Sequence, residues 1–348
     1  MRFDVTIMPD DLNAAAGIAR AVEAYGFSAL WTAEVAHNAF LPLTHAAAAT
    51  RRIELGTAIA LAFPRSPMVT AQLAWDLAAQ SKGRFLLGLG TQVEAHITRR
   101  YSIEWLPPVP RLREYIEALR AIWANWQDKK PLRFAGQYYK FTLMTPLFSP
   151  GPIEHPDIPI YIAGVNEKLC QLAGELCQGF HVHPFHTPRY LREVTLPNIE
   201  IGARGAERRR EDVALTCAVF VVTGRTEAER REHAAEVKQQ IAIYASTPSY
   251  RVVMELHGWG EVADRLHQMS REGRWKEMGS LISDDILREI AVIAPPEDLA
   301  YAVKARYDGL LDRVGYYFPF EPDDLDKASL WRSAADVFGQ PTSPRKDA

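Results

Sequence analysis

Along this chain, short runs of aliphatic and β-branched residues alternate with longer stretches whose apolar positions recur every three or four residues. The first run spans residues 3–7; Pro9-Asp10-Asp11 turns it, and a helical stretch over 12–25 follows, ended by Gly26. Residues 28–32 read as a second strand and 42–50 as a second helix. The clearest unit covers 53–92. It holds a strand at 53–59, a helix opened by Pro67 and carried by Val69, Leu73, Leu77 and Ala78, the breaker Gly83, and a strand at 84–90. Two strands joined by such a helix are predicted to pair in parallel and to be buried on both faces.

Beyond Gly90 the pattern predicts a short helix, a break at Pro107-Pro108-Val109-Pro110, a helix over 111–126, and a hairpin over 134–144 with Gly136 in its turn. The alternation resumes with strands at 158–164 and 179–183, helices at 167–177 and 188–203, a long β-branched strand at 213–222 and a helix at 227–244. From 246 to 293 the period is helical and no strand is predicted. A helix at 296–307 and a strand at 313–318 close the pattern. Eight strands, seven of whose connections contain a helix, predict an α/β fold: a single (β/α)8 TIM-like barrel over 1–338. Its insertions are a hairpin segment at about 92–155 and a helical one at about 246–293, and 339–348 is expected to be disordered. Two open doubly wound domains are the competing arrangement. In a barrel, functional groups gather where strands end at the C-terminal mouth.

Composition narrows the class. A formal charge of -3, with 40 basic and 43 acidic residues, argues against a nucleic-acid or membrane-surface partner. The basic clusters at 204–210 and Arg230-Arg231 are interleaved with Glu207, Glu211, Glu227, Glu229 and Glu232, as on a solvated helical face. Three cysteines, Cys170, Cys177 and Cys217, make no disulfide framework and suit a reducing compartment. With neither a leader-like apolar start nor a run long enough to span a bilayer, a cytoplasmic protein is expected.

The candidate chemistry lies in the loops. Gly88-Leu89-Gly90-Thr91-Gln92 lacks the third glycine and the acidic residue of a dinucleotide fingerprint, but it offers backbone N–H groups and a small surface for a flat ligand; a glycine turn needed for packing is the plainer alternative. Glu34 and His37 follow the second strand, where an imidazole oriented by a carboxylate can act as general acid or base; a simple loop hydrogen bond is the alternative. His181, His183 and His186, with His155 upstream, do not match a familiar metal site, and none is expected; His183 is the better candidate for a polar contact to a cofactor or phosphate. His257 and His267 read as structural. The absence of a serine elbow, a Walker loop and a CxxC pair disfavours serine-triad hydrolysis and P-loop phosphoryl transfer. Trp105, Tyr139, Phe141, Trp259 and Trp275 fit either a hydrophobic substrate pocket or the cores of the insertions.

The runs 24–31, Leu55-Gly56-Thr57-Ala58-Ile59, Arg65-Ser66-Pro67, Trp75-Asp76-Leu77 and 81–90 resemble the luciferase-like monooxygenase superfamily, and most closely its coenzyme F420 (deazaflavin)-dependent oxidoreductases. The segments 143–152, 183–197 and Leu256-His257-Gly258-Trp259-Gly260 are similar to one subfamily of these, and the resemblance covers nearly the whole chain. It implies a homodimeric barrel that binds F420, or alternatively FMN, at its mouth and acts on a small-molecule substrate. It also implies a non-prolyl cis peptide at Ala58-Ile59 behind the ring. Thr57 with that pair, then Gly90, Thr91 and Gln92, a phosphate-facing turn at Gly164, Val165 and Asn166, and His183 match the family's cofactor-binding positions. Two positions depart from its sugar-phosphate dehydrogenases. Their Asp-His falls at Glu34-Val35, with His37 two places later, and their catalytic glutamate falls at Val93, with Glu94 beside it. Sugar-phosphate activity is therefore not expected, and His37 supported by Glu34 is the candidate acid/base pair. An FMN-dependent monooxygenase and a cofactor-binding protein without turnover are the alternatives.

Overall fold

The structure, a computed structural model, describes residues 1–339, so the tail expectation falls, from 340 onward, outside the described residues. The aliphatic runs form eight parallel strands: β1 Arg2–Ile7, β2 Ala29–Thr32, β3 Glu54–Thr57, β4 Phe85–Gly90, β5 Ile160–Gly164, β6 Gly179–Val182, β7 Ala214–Val219 and β8 Arg313–Tyr316. Each pairs with the next, and β1 pairs with β8, so the sheet closes into a barrel ringed by helices. Closure leaves no strand edge free.

Strand alternation separates two environments. Phe3, Val5, Leu30, Leu55, Leu87, Ile162, Phe180, Leu215 and Val314 point outward and pack under the helices in the main core. The inward positions carry a different chemistry. Ala29, Trp31, Leu86 and Tyr161 form a small interior cluster. Beneath it, at the N-terminal ends of the strands, lies an ion network. The Arg313 guanidinium, only 1% exposed, donates from Nε to Asp4 Oδ2 at 2.6 Å, from Nη2 to Asp4 Oδ1 at 3.0 Å and from Nη1 to Glu54 Oε2 at 2.6 Å. Trp31 Nε1 donates to the same Asp4 carboxylate at 2.9 Å. Burial opposes the Arg313 charge, yet Asp4 and Glu54 outweigh it and hold the group firmly protonated.

The insertions differ in detail from expectation. The helix placed at 111–126 begins earlier and runs Pro108–Asp128, because Pro108 and Pro110 fall in its first turn, where an N–H has no intrahelical partner to lose. The strand placed at 213–222 is two pieces: β7 stops at Val219, and Val221–Val222 leaves the barrel to pair with Val292–Ile293. The segment expected to hold only helices therefore ends in a strand. Its helices share a second core with Phe220, Ile241, Met254 and Leu266. The helix at 188–203 is Pro188–Tyr190 and Leu196–Gly205 joined by a π turn, Leu191–Thr195, just before Pro197, which has no N–H for the ladder. An unpredicted helix, Ala328–Phe338, packs Leu330, Trp331, Ala334 and Phe338 inward; Phe338 meets Phe3 with ring centroids 5.2 Å apart.

Candidate active site

The mouth of the barrel is organised around an interruption in β3. Its residues Leu55 and Gly56 pair with Phe85 and Leu86, whereas Ala60 and Leu61 pair with Leu89 and Gly90. Four residues on one strand thus span three on its neighbour, and the extra one is a β-bulge. The peptide between Ala58 and Ile59 is cis, as the resemblance implies. Thr57, fully buried, bridges the gap: its hydroxyl donates to Gly88 O at 2.7 Å and accepts from Gly88 N–H at 2.9 Å. It therefore lies behind the bulge as a support, while Ala58 and Ile59 keep part of their surface open.

Glycines let the bulge approach β4. A Cβ on Gly88 would land on the Thr57 carbonyl oxygen and lie 2.8 Å from His181 Nε2, and one on Gly90 would lie 2.5 Å from Ile59 Cδ1. Thr91 and Gln92 follow at the rim, with Gln92 left-handed at φ 58° and its side-chain oxygen accepting from Val93 N–H at 2.9 Å.

Glu34 and His37 are not brought together. Glu34 is committed to the bulge: Oε2 accepts from Leu61 N–H at 2.7 Å and from Arg65 Nη1 at 2.8 Å, and Oε1 pairs with Arg65 Nη2. Its own N–H donates to Ile59 O at 3.3 Å. His37 stands exposed on the loop. Arg65, in the quoted Arg65-Ser66-Pro67 run, carries no role in the sequence reading; a buried carboxylate's need for a cation is the signal that points to it. Glu94 opens the short helix Glu94–Arg99 and is exposed.

At β5, Asn166 caps the helix Glu167–Leu176 by accepting from Leu169 N–H at 3.1 Å, and Val165 O accepts the Tyr190 hydroxyl at 2.9 Å. The three histidines diverge. His181 points into the barrel against Trp31, His183 sits at the mouth, and His186 packs outward on Tyr307. Among the described residues, no group of three or more His, Cys, Asp and Glu is placed to hold a metal ion. His183 Nδ1 accepts from Phe185 N–H at 3.1 Å, so the neutral ring carries its proton on Nε2. His257 and His267, expected to be structural, are bonded to Thr187 Oγ1 at 2.8 Å and Ser246 O at 3.0 Å.

Burial pushes His181 and His183 down to about 3 and His186 down to about 4; the Arg313 charge adds to the effect at His181, and the neighbouring His186 adds to it at His183. The unfolded chain takes up these protons below its ordinary value of about 6.5, while the folded chain resists until pH 3 to 4. Stability is therefore complete above about pH 6.5 and falls with pH through that window, by up to about 1.4 kcal/mol per pH unit for each imidazole. Urea midpoints measured from pH 7 to 4 should decline, and His186→Gln should make the decline shallower. Equal slopes in the two proteins would contradict this account.

The inward positions above His181 are small: Ala58, Gly88, Gly90, Ala163 and Ala218. Ala58, Ile59, Ala163 and Ala218 keep part of their surface open around the bulge, and the unpartnered Nε2 of His181 lies buried among these small residues. A planar ring system fits such a space, and the N–H groups at the start of Glu167–Leu176 suit a phosphate carried on it.

Comparison with known proteins agrees with this geometry. A family profile described as luciferase-like monooxygenase matches residues 2–313. An uncharacterised protein of Mycobacterium tuberculosis is 45% identical over 330 residues, covering 95% of this chain and 97% of its own. A proposed coenzyme F420-dependent oxidoreductase of the same organism is 30% identical over 298 residues, covering 80% and 83%. Among solved structures, the coenzyme F420-dependent tetrahydromethanopterin reductase of Methanopyrus kandleri superposes with a TM-score of 0.75 at 21% identity, covering 97% of each chain.

Proposed function

Since the chain belongs to the luciferase-like monooxygenase family and is an enzyme of that kind, we propose that it is a coenzyme F420-dependent oxidoreductase acting on a small organic substrate at the barrel mouth. The observation that carries this reading is the bulge in β3, which leaves Ala58 and Ile59 part-exposed among small residues at the mouth. The deazaflavin supplies the hydride chemistry when bound. The protein supplies position. Ala58 and Ile59 back the ring, Gly90, Thr91 and Gln92 flank it, and the turn Gly164-Val165-Asn166 holds the tail, while His183 turns its Nε2–H edge to the cofactor and leaves its ring in the wall of the mouth. Glu34 and Arg65 pin the bulge from outside, and Thr57 pins it from behind.

The test is equilibrium binding of the purified protein to F420 and, in parallel, to FMN. Micromolar or tighter F420 binding with weak FMN binding is expected, and the reverse preference would move the protein to the flavin monooxygenases. Substrate-dependent reoxidation of bound F420H2 separates an enzyme from a carrier.

His37 is the proposed acid/base group, acting from the rim without Glu34 as its orienter. His37→Ala is expected to lower kcat by roughly 100-fold, the low end for a general acid or base, with F420 affinity unchanged. Undiminished turnover would remove His37 from the mechanism.

A further inference from the structure

The mouth is asymmetric. Over β6, β7 and β8 the inward positions two residues beyond His181, Ala218 and Gly315 are His183, Phe220 and Tyr317, and all three are aromatic. Tyr244, at the end of the helix Glu227–Ala245, and Tyr250, in the turn that follows, close over them from the insertion. Ring centroids lie 4.7 Å apart for His183 and Tyr244, 4.5 Å for His183 and Tyr250, and 4.7 Å for Phe220 and Tyr317. The hydroxyls of Tyr244 and Tyr317 meet.

This wall carries no charge near neutral pH. Burial holds His183 neutral, pushes the Tyr250 hydroxyl up to about 12, and pushes that of Tyr317 upward, with Tyr244 adding to both tyrosine shifts. The charges beside this wall are already paired: Glu34 with Arg65 at the bulge, and Arg251, next to Tyr250, with Glu255 and Asp264. An anionic substrate would find no cation here. The hydroxyl pair has two protons and uses one between its members, which leaves one O–H to donate outward. The part-exposed rings of His183, Tyr244, Tyr250 and Tyr317, backed by the buried Phe220, and a single spare O–H define a recognition surface for something flat that carries an acceptor.

We propose that this aromatic wall is the substrate subsite, and that the substrate is an uncharged, planar, conjugated carbonyl compound whose oxygen accepts the outward hydroxyl of the Tyr244–Tyr317 pair. The inference rests on the hydride-transfer reading above. In the reducing direction a hydride from the reduced deazaflavin, carrying two electrons, forms a C–H bond at the carbon β to the carbonyl. The π pair of the C=C bond shifts toward the oxygen, where the tyrosine hydroxyl stabilises the enolate. A proton, delivered at the rim by His37, then adds to the α carbon. The deazaflavin gives its hydride to the alkene and releases a proton to solvent, from which His37 is reprotonated, so hydride and proton balance.

The experiment uses the full chain loaded with F420H2 and follows reoxidation with 2-cyclohexen-1-one, cyclohexanone and the anionic alkene fumarate. The conjugated ketone should be reduced fastest. Tyr317→Phe and Tyr244→Phe, which keep the rings and remove one hydroxyl each, should lower kcat/KM for it by roughly 100-fold, the scale seen on removing one donor to a developing oxyanion, with F420 affinity unchanged. Should one variant fail to fold, the other carries the test. A second arm needs no redox cofactor: 4-hydroxybenzaldehyde binding by calorimetry should weaken at least tenfold in the same variants. If F420 does not bind but the aldehyde does, and the Phe variants weaken it, the subsite stands while the cofactor reading fails. If F420 binds but the Phe variants match the parent protein in both arms, or fumarate is the better oxidant, the subsite proposal is overturned.

Discussion

Arg313→Ala should destabilise the protein by about 3 to 5 kcal/mol, the cost of leaving buried charge without its partner. Arg313 is the only cation that both Asp4 and Glu54 contact through short hydrogen bonds among the described residues, and Asp4 is 3% exposed. Arg2 also reaches Glu54, at 3.2 Å, but from a more open position and without touching Asp4. Truncating Arg313 therefore strands the Asp4 carboxylate with one remaining donor, Trp31 Nε1. Urea unfolding gives the loss directly. The double variant Asp4→Ala, Arg313→Ala should lose much less than the sum of the single changes, because the second removes a charge that the first has left unpaired. Additive losses would show that the two side chains act independently and would reject the network.

Gly88→Ala should have the largest effect on cofactor binding. Its methyl would fall on the Thr57 carbonyl oxygen, which is backbone and has no rotamer by which to withdraw. Relief has to come from moving β3 away from β4, and with it the wall at Ala58 and Ile59. Overpacking of this kind costs about 1 to 3 kcal/mol. A displacement of about 1 Å at a positioning surface is enough to cost roughly 100-fold. We expect F420 affinity to fall by about that factor, with a lower Tm. Gly205→Ala, where an added methyl meets nothing within 4 Å, should leave the affinity unchanged. Wild-type affinity in Gly88→Ala would dissociate the bulge from ligand binding.

The barrel is legible in the sequence because its signal is periodic: eight apolar strand runs alternate with seven helical crossovers, and each repeat supports the others. What escapes is what the period does not encode. The strand at 213–222 reads as continuous because Phe220 and Val221 are as β-prone as their neighbours, and only the pairing with Val292–Ile293 reveals the break. The helix Ala328–Phe338 follows the last strand, where a complete barrel pattern no longer asks for an element.

In the site, Ala58, Ile59, Gly90 and His183 stand out by resemblance and position. Glu34 is also singled out, but its partner is not, because Arg65 is 31 residues away and the nearby His37 competes for the eye. Tyr317 shares inward parity with Arg313 and Gly315, and that parity is the signal that finds it. Tyr244 and Tyr250 have no such signal, since they reach the mouth through the tertiary packing of the insertion.

The small parallel pair Val221–Val222 and Val292–Ile293 clasps the two ends of the excursion that carries the helix Glu227–Ala245 and the insertion after it. A chain excursion whose ends are already clasped together can change length at little entropic cost, since the closure is set by the clasp and grows only slowly with the loop. The roof over the mouth should therefore tolerate exchange where its packing on Val165, Phe185 and Tyr190 is kept. A related roof with a different set of rings, spliced at these two strands, should alter which molecules are accepted while the barrel below keeps its hold on the cofactor.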